Sequence, residues 1–289
     1  MRTMALWRVA LAWLALASPP AALAQANVVD TTLRDFMTAR SFGIGGAQRA
    51  LGLSADAVDG NPAAMSLWPR YQTELSGAWE FNGRLAFATL ALVDSQSNPK
   101  LALGVSYHFA TIGSGASVRT VSMETVGASM PVASWLTFGI SARHLLMSGA
   151  ASSNAVTGDA GLAFRFFDSI LLGLSGHNLV ETNHPELSRF YAVSLGYVAG
   201  MFSAGLDLRF DFGAVPGSPS PAVGLSAGAE YILGVVPVRM GFQNDPVAGR
   251  DYLSAGIGLM TETGNIDIAY RHQLNGTARL LSIGVRLGP

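Results

Sequence analysis

Phe202–Phe212 reads FSAGLDLRFDF. Phe202, Ala204, Leu206, Leu208, Phe210 and Phe212 share one side of a two-residue repeat. Ser203, Gly205, Asp207, Arg209 and Asp211 share the other. Such alternation marks a β-strand with two unlike faces. Later segments repeat the device. Val223, Leu225, Ala227, Ala229 and Tyr231 oppose Gly224, Ser226, Gly228 and Glu230. Ile266, Ile268 and Tyr270 oppose Asp267 and Arg271, and Leu281, Ile283, Val285 and Leu287 oppose Ser282, Gly284, Arg286 and Gly288. A soluble β-sandwich also alternates, but its outer face is solvated. Here the second face is mostly Gly, Ser and Ala, with a few charges of both signs. Those charges avoid the apolar face, where a mid-bilayer Arg or Lys would cost about 2–4 kcal/mol.

Working outward, about fourteen segments of this length follow one another, an even number as single-chain bacterial barrels require. They begin near Arg70, Gly83, Lys100, Ser117, Trp135, Thr157, Ile170, Arg189, Phe202, Ala222, Val236, Asp251, Asn265 and Ala278. The connections alternate in length. Met130-Pro131-Val132, Phe167-Asp168, Ala199-Gly200 and Thr263-Gly264 are short, whereas 110–116, 148–156, 178–187, 213–221 and 244–249 are longer. Asn82-Gly83 and Asn275-Gly276 are tight hairpin signals on the longer-loop side. Short turns at one end and longer loops at the other are barrel behaviour. The predicted fold is all-β: a transmembrane antiparallel β-barrel over 70–289.

Composition agrees. The chain is 49% hydrophobic and 13% charged, with mean hydropathy +0.34, yet after the N-terminal region it has no apolar run long enough for a spanning helix. Lipid admits spanning chains only as helices or closed barrels. The net charge of −1 gives no basis for nucleic-acid binding, and the absence of cysteine removes disulfides and thiolate metal sites. The first 24 residues read as a secretory signal peptide. Arg2 and Arg8 flank the start, Val9–Ala17 is apolar, and Ala22-Leu23-Ala24 predicts cleavage after Ala24.

Between these parts lies 25–69, whose core is SFGIGGAQRALGLSADAVDGNPAAMSL, Ser41–Leu67. Asn61 is a helix cap and Pro62 a first helical residue, so a short helix to about Leu67 is predicted. A nucleotide-binding glycine motif is excluded because no strand precedes it and the third glycine is missing. Gly43, Gly45, Gly46, Ala50, Asp56 and Asn61-Pro62-Ala63 resemble the N-terminal signature of the FadL family of outer-membrane barrels and its PorV-like relatives. Ala64 stands where that family usually has glycine. The resemblance implies a short helical hatch inside or beneath the barrel, and transport of fatty acids or other hydrophobic compounds across the outer membrane. Its PorV-like branch implies the alternative, docking of a secreted or surface protein. The chain departs from the family in its shorter loops. Unlike many outer-membrane barrels it also has no C-terminal aromatic, ending Leu287-Gly288-Pro289.

The lumen charges predicted from parity are Glu74, Glu80, Arg143, Arg165, Asp207, Arg209, Asp211, Glu230, Arg239, Asp267, Arg271 and Arg286. They are expected to pair and to anchor the hatch. Inward glycines, including Gly104, Gly139, Gly173, Gly196, Gly205, Gly256, Gly258 and Gly284, are expected to leave room for its backbone. Trp79, Trp135, Tyr191, Tyr197, Tyr231 and Tyr270 read as interfacial belt residues. Leu90 and Leu92 are assigned to the inward face, and Ser117–Met130 to the parity that keeps Glu124 out of lipid and puts Arg119 at the outer rim. His108, His144, His177, His184 and His272 show no metal-ligand spacing, and Ser175 with His177 is the nearest catalytic candidate. No enzyme activity and no cofactor are expected.

Overall fold

The structure is a computed structural model that describes residues 36–150, 152–182, 187–213 and 220–288. The predicted signal peptide, the start of the predicted hatch and His184 lie outside them.

Fourteen strands form one closed antiparallel barrel in sequence order. They are β1 Tyr71–Glu80, β2 Leu85–Asp94, β3 Ala102–Ile112, β4 Arg119–Ala133, β5 Leu136–Gly149, β6 Ser153–Phe166 and β7 Ile170–His177. The second half comprises β8 Phe190–Ala199, β9 Phe202–Asp211, β10 Ala222–Leu233, β11 Val236–Asp245, β12 Arg250–Met260, β13 Gly264–Gln273 and β14 Arg279–Leu287. β14 closes on β1, with Glu74 opposite Arg286 and Ser76 opposite Gly284. Closure pairs the strand edges that lipid could not satisfy. The alternating sequences produce alternating burial: in β8, Ala192, Ser194 and Gly196 are buried while Tyr191, Val193, Leu195 and Tyr197 are exposed. All six predicted belt residues face outward and are exposed.

β6 begins earlier than its alternation suggests, because Ser153–Val156 pair with Ala155 opposite Leu145 and Ser153 opposite Met147. Two face assignments are corrected. Leu90 lies opposite Leu75 and Tyr107, all three exposed, so Leu90 and Leu92 face lipid. The inward side of β2 is Leu85, Phe87, Thr89, Ala91 and Val93. On β4, Val121, Met123, Thr125, Gly127 and Ser129 are buried, so Glu124 faces outward and Arg119 inward. Glu124 is tolerated there because His144 Nδ1 lies 2.8 Å from its carboxylate. The register shift in β4 falls between Pro131 and Ala133, far from Arg119.

Inside the barrel lies the hatch. Its described residues contain two short helices, α1 Ala39–Gly43 and α2 Ala57–Gly60, and a 3-10 helix Pro62–Ser66. Ile44, Leu51, Val58 and Met65 of the hatch pack with Ala91, Val93, Ala163 and Leu171 of the wall.

Candidate functional site: a vestibule above a seated hatch

The hatch is seated by contact with bare backbone. On every strand from β3 to β12, one inward glycine has a hatch atom within 3.2 Å of where its Cβ would stand. A Cβ at Gly139 would strike the Pro62–Ala63 peptide, at Gly205 the Ala47 carbonyl, and at Gly228 the Ile44 carbonyl. Gly161 makes room for the Asn61 side chain. Alternation marks part of this ring, Gly228 included, but not Gly127, Gly161 and Gly241. Gly258 belongs elsewhere, since it makes room for Asp267 of the wall.

Six of the signature residues, Gly43, Gly45, Gly46, Asp56, Asn61 and Pro62, converge on this seating. Gly45 has φ +66° and lies against the backbone of Phe242, and Gly46 has φ +83° against Met37. Both conformations favour glycine. Gly43 packs on Arg239 and Gly256. Asp56 accepts hydrogen bonds from the Thr38 hydroxyl (2.9 Å) and the Ser54 hydroxyl (2.6 Å). Asn61 accepts from the Ala63 amide (3.1 Å) and donates to the Leu162 carbonyl (3.2 Å), with Pro62 following as the first residue of the 3-10 helix. Asn61→Ala is expected to cost about 1 kcal/mol through the lost cap alone, read as a lower urea midpoint of the vesicle-embedded barrel.

Charges complete the attachment. Arg239 of β11 bridges Glu230 (2.5 Å) and Asp267 (2.7 Å), and Arg40 of the hatch also binds Glu230 (2.9 Å). Asp207 receives the Gln48 and Arg49 amides and the Arg49 guanidinium. Arg209 pairs with Asp211 and Asp245, and Arg286 with Asp267. Glu74 accepts from the Ala55 amide (3.3 Å). Arg165 sits at the short-turn mouth, its guanidinium over the Trp68 ring.

A second network includes residues that alternation alone did not single out. Asp59 of α2 lies 2.8 Å from His108 Nε2 and accepts from Ser106 and Thr125 hydroxyls. Burial alone would push the Asp59 carboxyl up. The His108 ring and the Arg143 guanidinium outweigh that and hold it below the usual carboxylate range. Arg143 also pairs with Asp159 (2.8 Å). Asp159 lies 3.4 Å from His177 Nδ1, whose Nε2 is 3.0 Å from Ser175 Oγ. Ser175, His177 and Asp159 thus stand in the order of an acyl-transfer triad. The His177 ring is fully buried beneath Phe190, stacked at 4.3 Å, which leaves no approach for a substrate. The arrangement fits a structural wall contact better than a nucleophile. Among the described residues, no group of three or more His, Asp or Glu side chains is arranged to hold a metal.

Above the hatch, at the longer-loop end, a vestibule of about 270 Å³ opens. Leu85, Phe87, Ile112 and Leu280 form an apolar wall, and Met37 and Phe42 of the hatch form the floor. Polar groups make up most of the rest: Glu80, Asn82 and Arg84 beside the apolar wall, and Arg209, Gln243, Asp245, Arg250, Arg271 and Gln273 opposite it. Arg271 stacks its guanidinium on Phe42, 3.9 Å from the ring centroid, joining the polar wall to the floor. Behind the apolar wall, Val121, Met123, Leu145 and Met147 extend the same cluster. An apolar inward patch on β2 therefore lies on the face opposite Leu90 and Leu92.

The fold and site define a membrane-spanning β-barrel whose lumen is filled by an N-terminal hatch beneath an apolar-walled vestibule. Solved structures share this fold. They include the CymD monoaromatic hydrocarbon channel (13% identity, TM-score 0.65, 86% of this chain and 96% of that one). The Pseudomonas putida toluene transporter TodX matches with 12% identity and TM-score 0.65 over 87% of this chain and 97% of its own. A Pseudomonas aeruginosa FadL homologue matches with 12% identity and TM-score 0.60 over 87% and 98%. No family model and no curated protein matches the sequence. The chain thus has the architecture of the FadL/TodX-type barrels, in agreement with the resemblance carried by its hatch.

Proposed function

We propose that the chain is an outer-membrane channel that takes up hydrophobic small molecules, fatty acids or similar compounds, from the longer-loop side. The observation that carries the reading is the vestibule, whose apolar wall ends on apolar hatch residues instead of an aqueous pore. A hydrophobic compound gains roughly 25 cal/mol for each Å² of apolar surface withdrawn from water against that wall. The fold likeness to barrels described as hydrocarbon channels and transporters supports the same reading. Outer-membrane placement is supported by the exported-type N-terminal sequence and the lipid-facing band. No catalytic role is assigned.

The test uses the folded barrel and a fluorescent fatty-acid analogue. Phe87→Asp with Leu280→Asp is expected to weaken binding at least about tenfold, equivalent to about 1.4 kcal/mol. Cells lacking the chain should lose uptake of the labelled compound. Unchanged uptake overturns transport. If a surface protein also copurifies stably with the barrel, the PorV-like docking role replaces it.

A further inference from the structure

Four successive hairpins at the short-turn end expose large apolar side chains at or beside their tips. They are Val132 (60% exposed), at the end of β4 just before the Ser134-Trp135 turn, Phe167 (91%) between β6 and β7, Met201 (58%) between β8 and β9, and Val235 (55%) between β10 and β11. The two remaining turns at this end are polar, with Gln96, Ser97 and Lys100 after β2 and Thr261, Glu262 and Thr263 after β12. The apolar tips therefore form one arc of the rim.

Phe167 is the sharpest case. Its φ is +52° and that of Asp168 is +59°. A bulky side chain in this left-handed region is unfavourable, and glycine or asparagine would be the low-cost choice. Phe167 is almost wholly exposed, so packing within the chain does not offset the strain.

The other end of the same strands points to what the arc meets. β4, β5 and β6 contain 15, 14 and 14 residues, against 8 to 12 in the other strands. Toward the longer-loop end polar groups enter their outward face: Thr120, Ser122 and Glu124 on β4, His144 and Ser148 on either side of the exposed Leu146 on β5, and Asn154 beside the exposed Val156 on β6. His144 bridges Glu124 and Asn154, at 2.8 and 3.0 Å. On β4 the apolar outward positions run only from Val126 to Val132. That stretch is short for the apolar band of a barrel. On the neighbouring β6 the tip Phe167 extends the outward run that reaches Phe166.

We propose that the arc Val132, Phe167, Met201 and Val235 inserts into the periplasm-facing leaflet, and that the long ends of β4–β6 stand above the opposite leaflet in water. A lipid surface fits better than a protein because the arc is continuous with the outward aromatic ladder Trp135–Phe164–Phe166, with ring centroids 6.0 and 6.2 Å apart. That ladder is where barrels carry their interfacial girdle. Asp168, beside Phe167, then lies at headgroup level. The arrangement accounts for the polar groups on the outer face of the raised wall, whose inner face buries Val121, Met123, Leu145 and Met147. This inference rests on the membrane-spanning fold and is independent of what the vestibule binds.

The chain has no cysteine, so single-cysteine spin labels report one position each. Val132→Cys, Phe167→Cys, Met201→Cys and Val235→Cys would be compared with Gln96→Cys, Glu262→Cys and Asn154→Cys. All are folded into phosphatidylethanolamine/phosphatidylglycerol vesicles and checked for the heat-modifiable gel shift of a folded barrel. The four arc labels are expected to favour oxygen over a water-soluble nickel chelate several-fold more than the three controls. Equal access of the chelate to arc and control labels overturns the proposal. Protection of the arc labels only after a periplasmic extract is added overturns it too, and assigns the arc to a protein. Should Phe167→Cys not fold, the other three arc positions decide.

Discussion

Gly228→Val is expected to unseat the hatch and convert a sealed barrel into an ion-conducting one. The new side chain would occupy the position of the Ile44 carbonyl, with Ile44 C and Cα close behind. Those are backbone atoms and cannot rotate away, and the β10 wall is tied into its ladders with β9 and β11. The hatch segment around Ile44–Gly46 must therefore move. Planar-bilayer recording would show stepwise conductance in the variant and little in the parent. Gly77→Ala is the control, because the nearest atom to its Cβ is the Phe87 carbonyl at 3.8 Å. A folded Gly228→Val barrel as silent as the parent would mean that the hatch is not what closes the lumen.

Arg239→Met is expected to destabilise the barrel by about 3–5 kcal/mol, the cost of leaving a buried ionic partner uncompensated. Arg239 is 3% exposed and serves two carboxylates, Glu230 and Asp267. Without it, Glu230 retains Arg40, and Asp267 retains Arg286 only at 3.8 Å. Because Arg40 belongs to the hatch, the loss weakens seating as well as the wall. Urea unfolding in vesicles measures the effect. Arg165→Met, at the exposed mouth with Asp168 at 4.0 Å, should cost below about 1 kcal/mol. Equal small losses for both would show that the buried network contributes little. Adding Asp267→Asn to Arg239→Met should recover part of the loss, since neighbours sharing one network do not add.

These two predictions come from different levels of description. The inward direction of Arg239, Glu230 and Asp267 is legible from alternation, because a two-residue period is local and a charge on the lipid face is costly. That Arg239 on β11 is shared by carboxylates on β10 and β13 is not legible, since it depends on register and on where Arg40 enters the lumen. The glycines divide similarly. Gly205 and Gly228 are recognisably inward, but which hatch atom each admits is set only when the chain folds back through the barrel.

Ambiguity arose where alternation fails. In β2, Leu90, Ala91, Leu92 and Val93 are all apolar, so either parity is possible. Pairing decides it, because Leu90 stands opposite the outward Leu75 and Tyr107. In β4 either parity places a charge awkwardly. The His144 ring and the height of these strands above the membrane resolve that conflict in favour of an outward Glu124.

The sequence by itself determined a barrel of fourteen strands, the inward side of most of them, the two ends, and a capped hatch element at Asn61-Pro62. These follow from periodicity, turn chemistry and the intolerance of lipid for unpaired backbone. Tertiary structure decided the partners: Asp59 with His108, Arg143 with Asp159, the hatch backbone with the glycine ring, and Met37 and Phe42 with the apolar wall. Those contacts join residues far apart in the chain, so their geometry exists only once barrel closure fixes the register and the hatch occupies the lumen.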